Sequence, residues 1–123
     1  MLDYTNVITG EKSYSGLQMK EIRPVMKLII RGKKREFLSA IGKSLNLLLP
    51  TEANTSSKSE TLTALWLSPD EWMIHSNEIS DPNNNDYETE NLLNKNIYKK
   101  NLGAVTDVTD QFVLINIKGD KIF

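Results

Sequence analysis

The chain contains no cysteine and a single histidine, His75. Disulfides, thiolate nucleophiles and Cys/His zinc sites are therefore excluded. Arginine is scarce, confined to Arg23, Arg31 and Arg35, and the formal net charge is −1. No general attraction to nucleic acid or to an anionic membrane follows from that balance. No apolar run approaches the ~20 residues of a membrane-spanning helix. Met1 to Gly10 lacks the basic start and apolar stretch of a secretory signal, so a cytoplasmic location is expected. Without export, the sequon Asn54-Thr55-Ser56 carries no meaning.

What is present is 123 residues at 39% hydrophobic composition, enough for one α+β domain. Both tryptophans lie in the stretch Leu62 to His75. It reads as two strands joined at Ser68-Pro69-Asp70, where Pro69 pre-sets φ for a type I turn. On the first strand Ala64 and Trp66 share one face and Leu65 and Leu67 the other. On the second, Trp72 and Ile74 oppose Glu71, Met73 and His75. Apolar residues on both faces predict a central hairpin covered on both sides.

The remaining elements fall around it. Residues 1–22 are polar and weakly patterned, predicting an irregular arm with at most a short edge strand. Residues 23–123 form the domain proper. After Pro24, Val25 to Arg31 reads as a buried strand ended by Gly32. Lys34 to Asn46 reads as a helix, with Phe37, Ile41 and Leu45 on one face and Leu38 widening it. Pro50 closes that segment, and residues 51–60 are expected as a surface loop. Ser80 to Asn85 reads as an exposed loop. Asp86 is a candidate N-cap for a second helix reaching about Lys100, with Leu93, Ile97 and Leu92 inward and Gly103 as its stop. Ala104–Thr109 and Phe112–Lys118 are expected to pair as a second hairpin, with Val113, Ile115 and Ile117 on one face. Gly119-Asp120 reads as a helix start, with Lys121, Ile122 and Phe123 in its first turn. The pattern is α+β, a largely antiparallel sheet with two helices on one face.

Reactive constellations are few. His75 could serve as a general base, but the sequence supplies no identifiable nucleophile or orienting partner, and a strand-end surface role is favoured. Asp107 and Asp110 could form a carboxylate pair, but on a strand they would face opposite sides, so turn and strand-end roles are favoured. Arg31-Gly32-Lys33-Lys34-Arg35 is a basic cluster without the interleaved aromatics of a single-strand binder. It also lacks the preceding glycines of a phosphate loop. Asp70 and Glu71 beside Trp72 could border a polar ligand, yet a turn-fixing role is favoured. No catalytic, cofactor-binding or metal-ligating residue is assigned.

Three segments carry a resemblance. Leu45-Asn46-Leu47-Leu48-Leu49-Pro50-Thr51-Glu52-Ala53-Asn54-Thr55 is similar to a run "LGLALPTxPNT". Leu65-Trp66-Leu67-Ser68-Pro69-Asp70-Glu71-Trp72-Met73-Ile74 is similar to "LWLGPDEWLL". Gly103 to Asp110 followed by Val113 to Gly119 is similar to "AVVDVSDxxxxLRLSG". In order and spacing they resemble the gamma subunit of heterotetrameric bacterial sarcosine oxidase, over residues 23–123. Ser68 stands where that family usually has Gly, a change that a type I turn tolerates. Family members continue past this chain's last residue, so the match is to their N-terminal half to two-thirds.

The resemblance implies a fold like the aminomethyltransferase (T-protein) folate-binding superfamily. It implies a non-catalytic structural subunit supporting oxidative demethylation of sarcosine to glycine. Flavins, NAD and folate would sit on the alpha and beta subunits, which are the expected partners. No cofactor is expected on this chain, and self-association is expected when it is isolated. The alternative is a stand-alone tetrahydrofolate-binding or one-carbon-transfer protein of the T-protein superfamily.

Overall fold

We describe residues 12–22, 25–77 and 87–122 of a computed structural model. The strands are β1 (Lys12–Tyr14), β2 (Leu17–Ile22), β3 (Lys27–Arg31), β4 (Ser56–Lys58), β5 (Leu62–Ser68), β6 (Glu71–Ser76), β7 (Ala104–Asp107) and β8 (Leu114–Lys118). The helices are α1 (Arg35–Leu45) and α2 (Tyr87–Leu93), the latter continued by a π-helical segment Asn94–Tyr98. They build an α+β fold with two antiparallel sheets, ordered β4-β5-β6-β3-β7 and β1-β2-β8. The expected loop at residues 80–85, the cap Asp86 and Phe123 lie outside the described residues.

The β5–β6 hairpin is central to the larger sheet. Trp66 lies opposite Trp72 and Ala64 opposite Ile74, while on β3 Ile30 and Leu28 continue the same two rows. Paired residues project to one face, so this register assembles Leu28, Ile30, Ala64, Trp72 and Ile74 into one apolar surface. Phe37 and Ile41 of α1, with Leu93 and Ile97, close over it to complete the core. Phe37 stacks on Trp72 with ring centroids 5.8 Å apart.

The second face is covered only in part, with Lys27 and Thr63 buried there. Both helices lie on the same side, so Ile29, Leu65 and Met73 of the opposite face remain half-buried and Leu67 is exposed. A two-layer arrangement needs only one apolar face per sheet. The supposed loop 51–60 also contains β4, an edge strand paired with β5. Its Ser56-Ser57-Lys58 composition is that of a polar edge, which the lack of apolar alternation disguised.

Three further expectations are corrected. Residues 12–22 are not irregular: β1 and β2 form a hairpin through Ser15-Gly16, with Gly16 at φ 73, and β2 is the middle strand of the smaller sheet. The chain segments around β7 and β8 do not form a hairpin. β7 pairs with β3 while β8 pairs with β2, and the turn after Val108 carries the chain from one sheet to the other. Gly119 to Lys121 is not a helix start. Gly119 adopts φ 138, and Lys121 N–H donates to the Gly16 carbonyl at 3.0 Å, closing the tip of the β1–β2 hairpin.

The second helix also ends differently. Lys99 N–H donates to Asn94 O at 2.9 Å and Leu102 N–H to Ile97 O at 3.0 Å, five-residue bonds that widen the last turns. Asn101, at φ 56, supplies the left-handed residue of the stop. Gly103 instead permits close packing, since a Cβ there would overlap the Arg31 carbonyl oxygen and crowd the Phe37 ring. Leu92 is exposed rather than inward.

Candidate functional site

Lys27 is the most unusual side chain in the larger sheet, because it is charged yet only 1% exposed. It begins β3, directly across from His75 on β6. Its ammonium donates to Val25 O at 3.2 Å and to Thr109 O at 3.1 Å. Its backbone is held as well: Lys27 N–H donates to Thr109 Oγ1 at 3.1 Å, and Val108 N–H donates to Lys27 O at 2.9 Å. Burial lowers the Lys27 pKa, opposed by the negative charges of Asp110 and Asp107.

The structure thus gathers Lys27, Asp107, Asp110 and His75, which the sequence presented separately. Asp107 Oδ1 accepts from Thr109 N–H at 2.9 Å and from Thr109 Oγ1 at 2.6 Å. That is a turn-fixing role of the Asx type. His75 is half-buried rather than a surface residue, and its Nδ1 lies 2.9 Å from Ser76 O. These hydrogen bonds end on backbone and on a turn threonine, so the cluster clamps the β3 start to the 108–110 turn. Sequence reasoning passed over Lys27. The signal was one lysine inside the apolar run Val25 to Ile30, with no polar residue beside it. Among the described residues, no group of three or more His, Asp or Glu side chains is placed to hold a metal ion.

The tryptophan hairpin borders a cavity of about 260 Å³ lined by Gly32, Lys33, Leu38, Thr51, Trp66 and Trp72 among others. Trp72 Nε1–H donates to Pro50 O at 2.8 Å, tying the 46–55 segment against the sheet. At the turn, Ser68 Oγ donates to Asp70 Oδ1 at 2.9 Å, and Gly32 N–H donates to Asp70 O at 3.0 Å. Asp70 therefore fixes the turn. Glu71 pairs with Arg31 at 3.2 Å. The basic cluster is split accordingly: Arg31 is engaged with Glu71, Gly32 is packed against Phe37, and Lys33, Lys34 and Arg35 are exposed.

No family model matches the sequence, and no curated protein matches it. Among solved structures, the fold is similar to a chain of the heterotetrameric sarcosine oxidase from Corynebacterium sp. U-96 in complex with pyrrole 2-carboxylate. The TM-score is 0.70 at 18% sequence identity, over 89% of this chain and 53% of that one. At this identity the likeness is one of fold. This chain spans about half the length of the chain it matches.

Proposed function

We propose that this chain is a non-catalytic structural subunit of a heterotetrameric sarcosine oxidase, corresponding to the gamma subunit. The observation that carries this reading is the fold correspondence, which extends over 89% of the chain to a component of such an enzyme. The three sequence segments that resemble the gamma subunit give independent support. They fall on structured parts: the 45–55 segment under Trp72, the β5–β6 hairpin, and the run through β7 and β8. The geometry around Lys27, His75 and Asp107 is that of a structural clamp, which suits a subunit without chemistry of its own.

In this proposal the alpha and beta subunits are the partners, and they carry the flavins, NAD and folate. A cytoplasmic location belongs to this proposal; no helix among the described residues is long and apolar enough to cross a membrane. The smaller sheet offers a surface for assembly. Its register places Tyr14, Met19, Ile115 and Ile117 on one face, and all but Met19 are exposed large apolar side chains.

Co-expression with the alpha and beta subunits of a sarcosine oxidase, followed by affinity capture of this chain, is the test. Recovery of both subunits, with sarcosine-dependent peroxide formation by the complex and none by the isolated chain, is expected. Failure to recover either subunit overturns the proposal. Titration with tetrahydrofolate separates it from a stand-alone folate-binding role: submillimolar binding by the isolated chain favours that role.

A further inference from the structure

The outer side of α1 carries a basic groove that neither the core nor the subunit reading uses. It has a volume of about 830 Å³ and runs between α1, residues 46–48 and β4. Its charged lining residues are Arg35 and Lys43 of α1 and Lys58 of β4, from two separate stretches of the chain. All three are exposed, and none is within ion-pair distance of a carboxylate among the described residues, where the ion pair is Arg31–Glu71. No acidic side chain among the described residues lines it.

The floor is apolar. Leu48 is 81% exposed, the most exposed of the large apolar side chains among the described residues. Gly42 leaves α1 without a side chain at the middle of the groove, and a Cβ there would meet only the Leu47 carbonyl and Leu48 Cδ2, at 3.9 and 4.0 Å. The walls are fixed. Ser57 Oγ of β4 donates to the Leu48 carbonyl, and Asn46 adopts a left-handed turn that swings residues 47–49 back along α1. Leu38 belongs to both this groove and the cleft beside Trp66 and Lys33, so the two depressions adjoin.

We infer that this groove docks an acidic, apolar-bearing segment of a partner protein, its carboxylates meeting Arg35, Lys43 and Lys58 and an apolar side chain covering Leu48. Charge complementarity selects the sign of the occupant, and exposed Leu48 selects a peptide over a purely polar anion. A nucleic acid fits less well, since no aromatic side chain among the described residues lines the groove for base stacking and the chain's net charge is −1. The inference does not depend on the subunit assignment, because it concerns the isolated chain.

The test is fluorescence anisotropy of the full chain with labelled synthetic peptides: one alternating Glu and Leu, one Glu and Gly, one Lys and Leu, with oligothymidylate as a further probe. The Glu/Leu peptide is expected to bind saturably and most tightly, with affinity falling as salt rises. The double variant Arg35→Glu/Lys43→Glu is expected to weaken it by about tenfold or more, with Leu48→Asp acting in the same direction. Lys58→Glu, on a different element, should do likewise, so misfolding of an α1 variant would not decide the matter. Lys118→Gln, an exposed cation on the smaller sheet, should leave binding unchanged. Absence of saturable binding, equal binding of the Glu/Gly peptide, tighter binding of oligothymidylate, or indifference to the charge reversals would each overturn the inference. Subunit capture is read separately, so either proposal can fail alone.

Discussion

The Lys27 ammonium donates to the backbone carbonyl of Thr109, 82 residues away in sequence, and that bond ties the first strand of the larger sheet to the turn that leaves it. Two carbonyls and two nearby carboxylates receive a cation that burial disfavours. Because burial lowers the folded-state pKa below the ordinary lysine value of 10.5, the unfolded chain binds more protons than the folded one between the two values. Stability should therefore rise with pH across that window and level off above 10.5. Urea midpoints measured from neutral pH upward should show the rise in the wild type and its loss in Lys27→Met. An unchanged pH slope in Lys27→Met would mean that another group is responsible.

Trp72 joins three parts of the fold, stacking from β6 on Phe37 of α1 while its indole N–H holds Pro50. Trp72→Ala should cost ~3–5 kcal/mol, the range for removing a buried aromatic. Trp72→Phe keeps most of the ring but leaves the Pro50 carbonyl without its donor, and should cost about 1–3 kcal/mol. His75→Ala should cost about 1 kcal/mol or less, since the ring is half-buried and bonded to a backbone carbonyl. Urea denaturation of the three variants checks the order, and equal losses for Trp72→Ala and His75→Ala would show that the stack is not central to stability.

Glycines should separate by what surrounds them. A Cβ on Gly103 meets a backbone carbonyl that cannot move aside, and one on Gly32 meets the Phe37 ring. Gly103→Ala and Gly32→Ala should each destabilise, by about 1–3 kcal/mol, as overpacking does. Gly42→Ala, inside α1, meets only ordinary contacts with Leu47 and Leu48 and should stabilise by roughly 0.5–1 kcal/mol through helix propensity. Thermal melts of the three variants give the signs directly.

Isolated chains should associate through the smaller sheet. Phe112, Val113, Ile115, Ile117 and Ile122 are all exposed, and β8 is an edge strand. Open edges and apolar faces favour association. Light scattering over a concentration series should show growth in apparent mass, reduced in Ile115→Glu/Ile117→Lys. A monomer at every concentration would leave this face without an association role.

Local patterning determined the elements that have strong signals of their own. Alternation and Pro69 defined the Trp66/Trp72 hairpin, four-residue spacing defined α1 around Phe37 and Ile41, and Leu93 and Ile97 marked the second helix. The α+β class followed from their order. What the sequence left open were features decided by contacts between distant residues. β2 becomes a middle strand only because β8 pairs with it, and β7 and β8 part company because Val108 and Thr109 are held by Lys27 rather than by each other's strands. Ser56-Ser57-Lys58 is a strand because β5 offers an open edge, and His75 is half-buried because it lies across from Lys27 and Thr63. Hydrophobic period is written along the chain and reports which face of an element turns inward. Strand partners, and the burial of a lone lysine or histidine, are set by hydrogen bonds and packing across the fold, which no local window contains.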